Sequence, residues 1–228
     1  MIFLGDTHGS IKLIKPILEH AFDRGQKTII QLGDWGFWWP NDFKHSELSK
    51  MLTDYGLHMY FIDGNHDLHP MLRMLPNTRE NVAPGITYLK RGTTHTIDGV
   101  TFGALGGAPS IDYWNRAEGL SIWEDMECIS DTDISKLNST VDILLLHDSP
   151  TDIPGIKEIS DVRFNTAVKK NRERITRAVE ITNPKIIYHG HMHTKLFRDW
   201  NGIEVRGLDC TGRSFTNPFE DCTHIVEM

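Results

Sequence analysis

An α/β fold is predicted from three features of this 228-residue sequence. Short apolar runs alternate with segments of helical periodicity. A β-rich stretch with hairpin signals follows in the middle of the chain. Five of the apolar runs end in Asp, Asn or His.

Met1 to Leu4 is the first apolar run, read as a central strand although it lies at the terminus, where chains usually fray. Ile11, Ile14, Leu18, Ala21 and Phe22 then recur at helical spacing over residues 11 to 24. Pro16 fits that helix only near its start, and Gly25 is a plausible stop. Thr28 to Leu32 reads as a buried strand, Asp42 to Tyr55 as a helix, and His58 to Ile62 as a strand. A short helix is expected around Pro70 to Leu75.

Ile86 to Leu89, Thr94 to Ile97 and Val100 to Leu105 are short β-rich pieces. Asp98-Gly99 marks a hairpin between the last two. Glu124 to Leu137 reads as partly helical, Val141 to Leu146 as a strand, Asp161 to Ile181 as a helix, and Lys185 to Tyr188 as a strand. From Lys195 onward further short strands are expected, with Asn201-Gly202 as a hairpin turn. No repeat, linker or low-complexity tract divides the chain, so one domain is expected over residues 1–228.

The composition bounds the function. With 39% hydrophobic and 24% charged residues, the chain has the material for a sizeable core. A net charge of −7 disfavours broad nucleic-acid binding, which needs a basic footprint, without excluding a local patch. No apolar run is long enough to cross a bilayer, and no secretory leader is visible. Cys128, Cys210 and Cys222 are too few, and wrongly spaced, for a zinc knuckle or a disulfide framework. A cytoplasmic location is expected.

The chemistry is concentrated at the strand ends. Asp6 and His8 follow the first run, Asp34 the second, and Asn65 and His66 the third; His147 and the pair His191 and His193 follow two later ones. Side chains at i and i+2 of an extended chain point to the same side, which would make Asp6 converge with His8 and His191 with His193. Gly5, Gly33, Gly64 and Gly190 stand just before the polar residue, where a missing Cβ permits a sharp exit and close approach. So many ligands point to two metals, with Asp34 able to bridge them through its two oxygens. Oxygen and nitrogen donors without thiolate favour Mn, Fe, Ni, Co or Zn over Ca.

Gly5-Asp6-Thr7-His8-Gly9, Gly33-Asp34, Gly64-Asn65-His66-Asp67, His147 and Gly190-His191-Met192-His193 together resemble the calcineurin-like metallophosphoesterase superfamily, in order and approximate spacing. That resemblance implies a two-sheet β-sandwich flanked by helices on both sides. It also implies roles. Asp6, His8 and His193 would hold one metal, and Asn65, His147 and His191 the other, with Asp34 between. His66 would protonate the leaving oxygen and Asp67 would orient it. Two divalent ions, manganese first among them, would provide a bridging hydroxide to attack phosphorus in a phosphomonoester or phosphodiester.

Departures narrow the substrate. Protein phosphatases of the superfamily carry Asp-Arg-Gly after the second Gly-Asp and Glu at the position of Asp67. Here Trp35-Gly36-Phe37 stands instead. Residues 106 to 116 look like those of a small stand-alone bacterial and phage-type subgroup.

Arg116 is chosen as the cation for a phosphate oxygen, with an ordinary surface ion pair as the alternative. Tyr113, Trp114 and Trp123 offer stacking faces for a nucleobase, core packing or a dimer contact, and the cluster from Trp35 to Trp39 shares that ambiguity. Asp63, Asp148 and His189 lie beside ligands as orienting or turn residues. The remaining histidines are read as structural or exposed. The expected partner is a small phosphorylated or nucleotide-like molecule. A nuclease of the same superfamily and an inert binding module on the same fold are the competing readings.

Overall fold

Strand alternation sets the layering from the first element onward. β1 (Ile2–Leu4) turns Ile2 and Leu4 to one face and Phe3 to the other, because successive side chains of a strand point oppositely. All three are fully buried, so this short segment faces a core on each side. The computed structural model describes residues 1–36, 43–76, 78–110, 112, 116–156, 162–210 and 222–226.

After β1 come α1 (Ile11–Asp23), β2 (Thr28–Gln31), α2 (Phe43–Tyr55), β3 (His58–Phe61) and α3 (His69–Met74). Next are β4 (Arg79–Ala83), β5 (Ile86–Leu89), β6 (Thr93–Ile97) and β7 (Val100–Leu105). Then follow α4 (Glu124–Glu127), α5 (Asp131–Ser135), β8 (Ile143–Leu146), α6 (Val162–Thr182), β9 (Ile186–His189), β10 (Leu196–Trp200), β11 (Ile203–Gly207) and β12 (Thr223–Ile225).

The strands form two six-stranded mixed sheets, in the orders β12-β1-β2-β3-β5-β4 and β10-β11-β9-β8-β7-β6. β1, β2, β3 and β5 run parallel in the first sheet; β7, β8, β9 and β11 run parallel in the second. Three cores separate the layers. Ile2, Leu4, Ile29 and Phe61 pack against Ile14 and Leu18 of α1 and Leu48 and Leu52 of α2. Phe3, Ile30 and Tyr60 meet Phe102, Leu145 and Tyr188 between the sheets. Leu144, Leu146, Ile187 and Val205 pack against Ile175, Ala178 and Val179 of α6. Helix, sheet, sheet and helix are thus stacked, the two-sheet sandwich the resemblance implies. Phe3 and Tyr188 rings stack 3.7 Å apart and join the sheets at their centre.

β1 is an interior strand, antiparallel to β12 and parallel to β2. Its backbone is therefore paired on both sides, and this resists terminal fraying. Asp98 (φ 49°) with Gly99 (φ 81°), and Asn201 (φ 55°) with Gly202 (φ 80°), take the paired left-handed conformations that close a two-residue hairpin.

Two features differ from the sequence expectation. Pro16 is the sixth residue of α1, beyond the first turn. It lies on the exposed face, where solvent can take the carbonyl its missing N–H leaves free, while Ile14, Ile17, Leu18 and Ala21 bury the other face. β4 carries no apolar alternation because it is a half-exposed edge strand with a bulge between Asn81 and Ala83. No helix among the described residues is long and apolar enough to cross a membrane.

Candidate metal centre

The two sheets present their polar strand ends at one edge. Asp6, Asp34 and Asn65 come from the ends of β1, β2 and β3 in the first sheet; His147 and His191 come from β8 and β9 in the second. Gly190 N–H donates to the His147 carbonyl, and Thr7 and His8 N–H groups both donate to the Asp34 carbonyl, so the loops hold one another. Gln31, fully buried on β2, adds donors to the Gly5 and Gly33 carbonyls.

Asp6, His8, Asp34 and His193 form a group whose ligand atoms lie within 4.8 Å of one another. His193 Nε2 is 2.9 Å from Asp6 Oδ2, and His8 Nε2 is 3.3 Å from His193 Nε2. Two donors bound about 2.1 Å from one ion stand roughly 3.0–3.5 Å apart, so the second spacing is that of two ligands in one coordination shell. Beside this group His147 Nε2 lies 3.1 Å from Asn65 Oδ1 and 3.3 Å from Asp34 Oδ1, with the His191 ring 5.0 Å from the His147 ring. Asp34 belongs to both groups: Oδ1 faces His147, and Oδ2 is 4.0 Å from His8. The donors are carboxylate, amide and imidazole, a set that fits first-row divalent ions.

The expected same-side pairing of Asp6 with His8 and of His191 with His193 is corrected by the backbone. These residues lie beyond their strands, and His8 (φ 46°), Asp34 (φ 50°), His191 (φ 61°) and His193 (φ 47°) are all left-handed. Turns, not pleat alternation, bring the side chains together. A left-handed non-glycine residue costs on the order of 1–3 kcal/mol, and such strain collects at functional sites. The glycines act chiefly by close approach. A Cβ on Gly64 would collide with Asp34, and one on Gly190 with Asp6 Oδ1.

The field at the site calls for positive charge. Burial works against a charged His147, yet Asp34 and then Asp6 raise its imidazole to about 10. His193 is also raised to about 10, its burial overcome by its hydrogen bond to Asp6. Burial would push Asp34 up, but the charges of His147, His66 and His8 hold it well below the carboxylate range. His191 is lowered to about 4 by burial and by His147, which keeps its ring neutral and free to ligate. The carboxylates that raise His147 and His193 are the same ones whose charge would favour a bound cation.

The chain matches the family model for calcineurin-like phosphoesterases over residues 1–195. It belongs to that family. Among solved structures, this family member is similar to TT1561 of Thermus thermophilus, with 14% identity over 92% of this chain and 89% of that one at a TM-score of 0.59. It is also similar to GAP50 of Plasmodium, the anchor in the inner membrane complex, with 10% identity, 91% and 70% coverage and a TM-score of 0.50. A putative 5'-nucleotidase from Staphylococcus aureus aligns at 12% identity over 92% of this chain and 48% of that one, also at 0.50. At these identities the likeness is one of fold. No curated protein sequence matches significantly.

Within this calcineurin-like site, His66 sits at the mouth, its ring 5.4 Å from the His8 ring and edge-on to it, and its backbone N–H donates to Asp34 Oδ1. Asp67 does not meet His66 as expected. Its carboxylate accepts N–H bonds from Gly36 and Gly64, which lock the loops after β2 and β3 together. Burial and the nearby Asp34 charge raise Asp67 to about 7 against those two donors.

Arg116, expected to meet a phosphate oxygen, has partners within the protein. Its guanidinium is buried and donates to the Asn65 and Ser121 carbonyls and to Ser110 Oγ, with Glu127 3.5 Å away. Both of its Nη atoms thus find partners inside the protein. Trp123 is buried against His69, its ring 6.1 Å from that imidazole, and is core packing, not a stacking platform. Trp35 is core too, stacked on Phe61 at 4.3 Å. Tyr113 and Trp114, and Phe37, Trp38 and Trp39 of the aromatic cluster, lie outside the described residues.

Buried residues far apart in sequence support the site. Asp63 accepts from Arg91 Nε at 2.8 Å and from Tyr88 Oη at 3.0 Å, and Arg91 also reaches the carbonyls of Met126, Glu127 and Cys128. Asp148 is held by Ser149 N–H, Asn171 and Arg172. Of these supports the sequence marked only Asp63 and Asp148, through their place beside ligands.

Proposed function

We propose that this chain is a dinuclear metal-dependent phosphoesterase acting on phosphomonoesters or phosphodiesters of small or nucleotide-like molecules. The observation that carries this reading is the division of the Asp34 carboxylate between two donor groups, one oxygen toward His8 and one toward His147. Asp6, His8 and His193 would hold one divalent ion, and Asn65, His147 and His191 the other. Such ions, manganese first among the candidates, would supply Lewis acidity toward a phosphoryl oxygen and a water of lowered pKa.

The chain's own residues do the rest. Asp34 and Asp6 fix the charge that draws the cations. The left-handed turns at His8 and His193 direct their rings toward Asp34 and Asp6. His66, half-exposed at the mouth, would give a proton to the leaving oxygen, a role suited to imidazole near neutral pH.

The test is hydrolysis of aryl phosphate monoesters and diesters by protein reconstituted with Mn, Fe, Ni, Co or Zn, alongside metal analysis. Two ions per chain and metal-dependent turnover are expected. No turnover above background with any of these metals, or undiminished turnover in Asp34→Ala, would refute the reading.

A further inference from the structure

We propose that Asp112 is the carboxylate that positions the His66 imidazole, and that Ser110 and Arg116, from the same loop, hold the Asn65-His66 pair in register. The inference rests on the phosphoesterase reading for its chemical meaning, but the pairing itself is geometric. His66 Nε2 lies 3.5 Å from Asp112 Oδ2, both at the half-exposed mouth of the site. Asp67, next to His66 in sequence, is committed to the Gly36 and Gly64 backbone.

Asp112 is itself held. Its other oxygen, Oδ1, is 3.5 Å from Nη1 of Arg116. That guanidinium is buried and anchored at Ser121 and Glu127, so it is a fixed point beside Asp112. The same Arg116 donates to the Asn65 carbonyl at 3.2 Å. Ser110 Oγ accepts from Asn65 Nδ2 at 3.0 Å, which leaves Oδ1 of that amide toward His147. Glu127 completes the frame by accepting from the Ser110 and Trp123 N–H groups. One loop therefore sets the amide of Asn65 and the ring of His66, while Asp34 fixes the backbone between them through the His66 N–H.

With Nε2 facing Asp112, Nδ1 of His66 is the nitrogen left to donate. As the phosphorus–oxygen bond to the leaving group breaks, its electron pair stays on that oxygen, which takes the Nδ1 proton. Water adds to phosphorus and releases one proton to solvent, solvent returns one to His66 Nδ1, and alcohol and phosphate leave. Asp112 is a positioning residue in this scheme, because it acts through His66 and does not touch substrate.

The test uses full-length, metal-reconstituted protein and aryl esters graded by leaving-group basicity. Asp112→Asn should lower kcat on a phenyl ester by roughly 10–100-fold and on a 4-nitrophenyl ester by much less, with KM moving less than twofold. His66→Asn should show the same dependence on leaving group, and the double variant should be no slower than His66→Asn alone. An equal loss on every ester, or additive losses in the double variant, would overturn the proposal.

A second readout needs no turnover. In metal-free protein, the His66 ring 15N resonances, assigned by their loss in His66→Asn, should shift in Asp112→Asn and hold still in Asp67→Asn. Unchanged resonances in Asp112→Asn would overturn the pairing. Wild-type protein inactive on every ester would instead count against the phosphoesterase reading, leaving the resonances to decide the pairing.

Discussion

Asp34 Oδ1 lies 3.3 Å from Nε2 of His147, bridging the gap between the two β-sheets. Asp34 follows β2 of one sheet and His147 follows β8 of the other, so the contact exists only when the sheets are packed. Both side chains are buried, and each changes the other's ionisation. Replacing Asp34 with Asn keeps the shape and removes the charge that both donor groups share. We expect the bound metal to fall from two ions per chain to one or none, and turnover to fall at least 1,000-fold, on the order of 4 kcal/mol. Elemental analysis after desalting, with steady-state rates, checks this.

Glycines supply a test that leaves every ligand in place. In Gly190→Ala the added methyl would overlap Asp6 Oδ1, and in Gly64→Ala it would overlap Asp34. The neighbours are buried and hydrogen-bonded, so relief requires the carboxylates to move. Overpacking of this kind costs about 1–3 kcal/mol. Loss of at least one metal ion together with a lower Tm is expected in both variants. Alanine at Gly25, where a Cβ would meet nothing but φ is +66°, should lower Tm slightly and leave metal content unchanged.

The Arg91–Asp63 pair is structural, and its removal should show as stability. Both side chains are almost fully buried, and burial, which would raise Asp63, is overridden by the Arg91 charge and the His69 hydrogen bond. Arg91→Met leaves a buried carboxylate without its counter-ion and frees the carbonyls at the end of α4. Breaking a buried pair by removing one partner costs about 3–5 kcal/mol. Urea denaturation of metal-free protein should show that loss, and the double variant Asp63→Asn with Arg91→Met should recover part of it.

His95 on β6 gives a pH signature outside the proposed metal site. Burial first, and the charge of Arg79 second, hold its imidazole down at about 4, while its Nε2 is 2.6 Å from the Thr93 hydroxyl. The unfolded chain, with a histidine near 6.5, then binds the proton more readily than the folded one. The contribution of neutral His95 is therefore complete above about pH 6.5, falls as the pH drops toward 4, and is level below that. In metal-free protein, His95→Gln should shrink the difference in urea midpoint between pH 7 and pH 4.5. An identical difference in wild type and variant would assign the acid sensitivity to other groups.

Much of the fold was legible because local rules sufficed. The 3.6-residue period of α1, the turn residues Asp98-Gly99 and Asn201-Gly202, and the apolar runs of β2, β3 and β8 each carry their own signal in adjacent residues. β4 was not legible, since a half-exposed edge strand needs no apolar face. The metal-capable residues were legible as a set because each stands at the end of an apolar run, most of them next to a glycine. Asp112, Ser110, Arg91 and Glu127 carried no such mark, since their meaning depends on partners distant in the sequence.

By itself, then, the sequence determined which residues could become strands and helices and which side chains waited at the strand ends. Local backbone preference and side-chain alternation are short-range properties, and a chain displays them before it folds. Tertiary structure decided who meets whom. Packing of the two sheets through Phe3 and Tyr188 placed His147 beside Asp34. Left-handed turns, held by surrounding contacts against their own cost, aimed His8 and His193. Packing enclosed the Arg116 and Trp123 side chains, and the fold set Asp112 3.5 Å from His66 while Asp67 turned to the Gly36 and Gly64 N–H groups. Distances between side chains belong to the folded chain alone, because only packing selects one of the many pairings that the same residues allow.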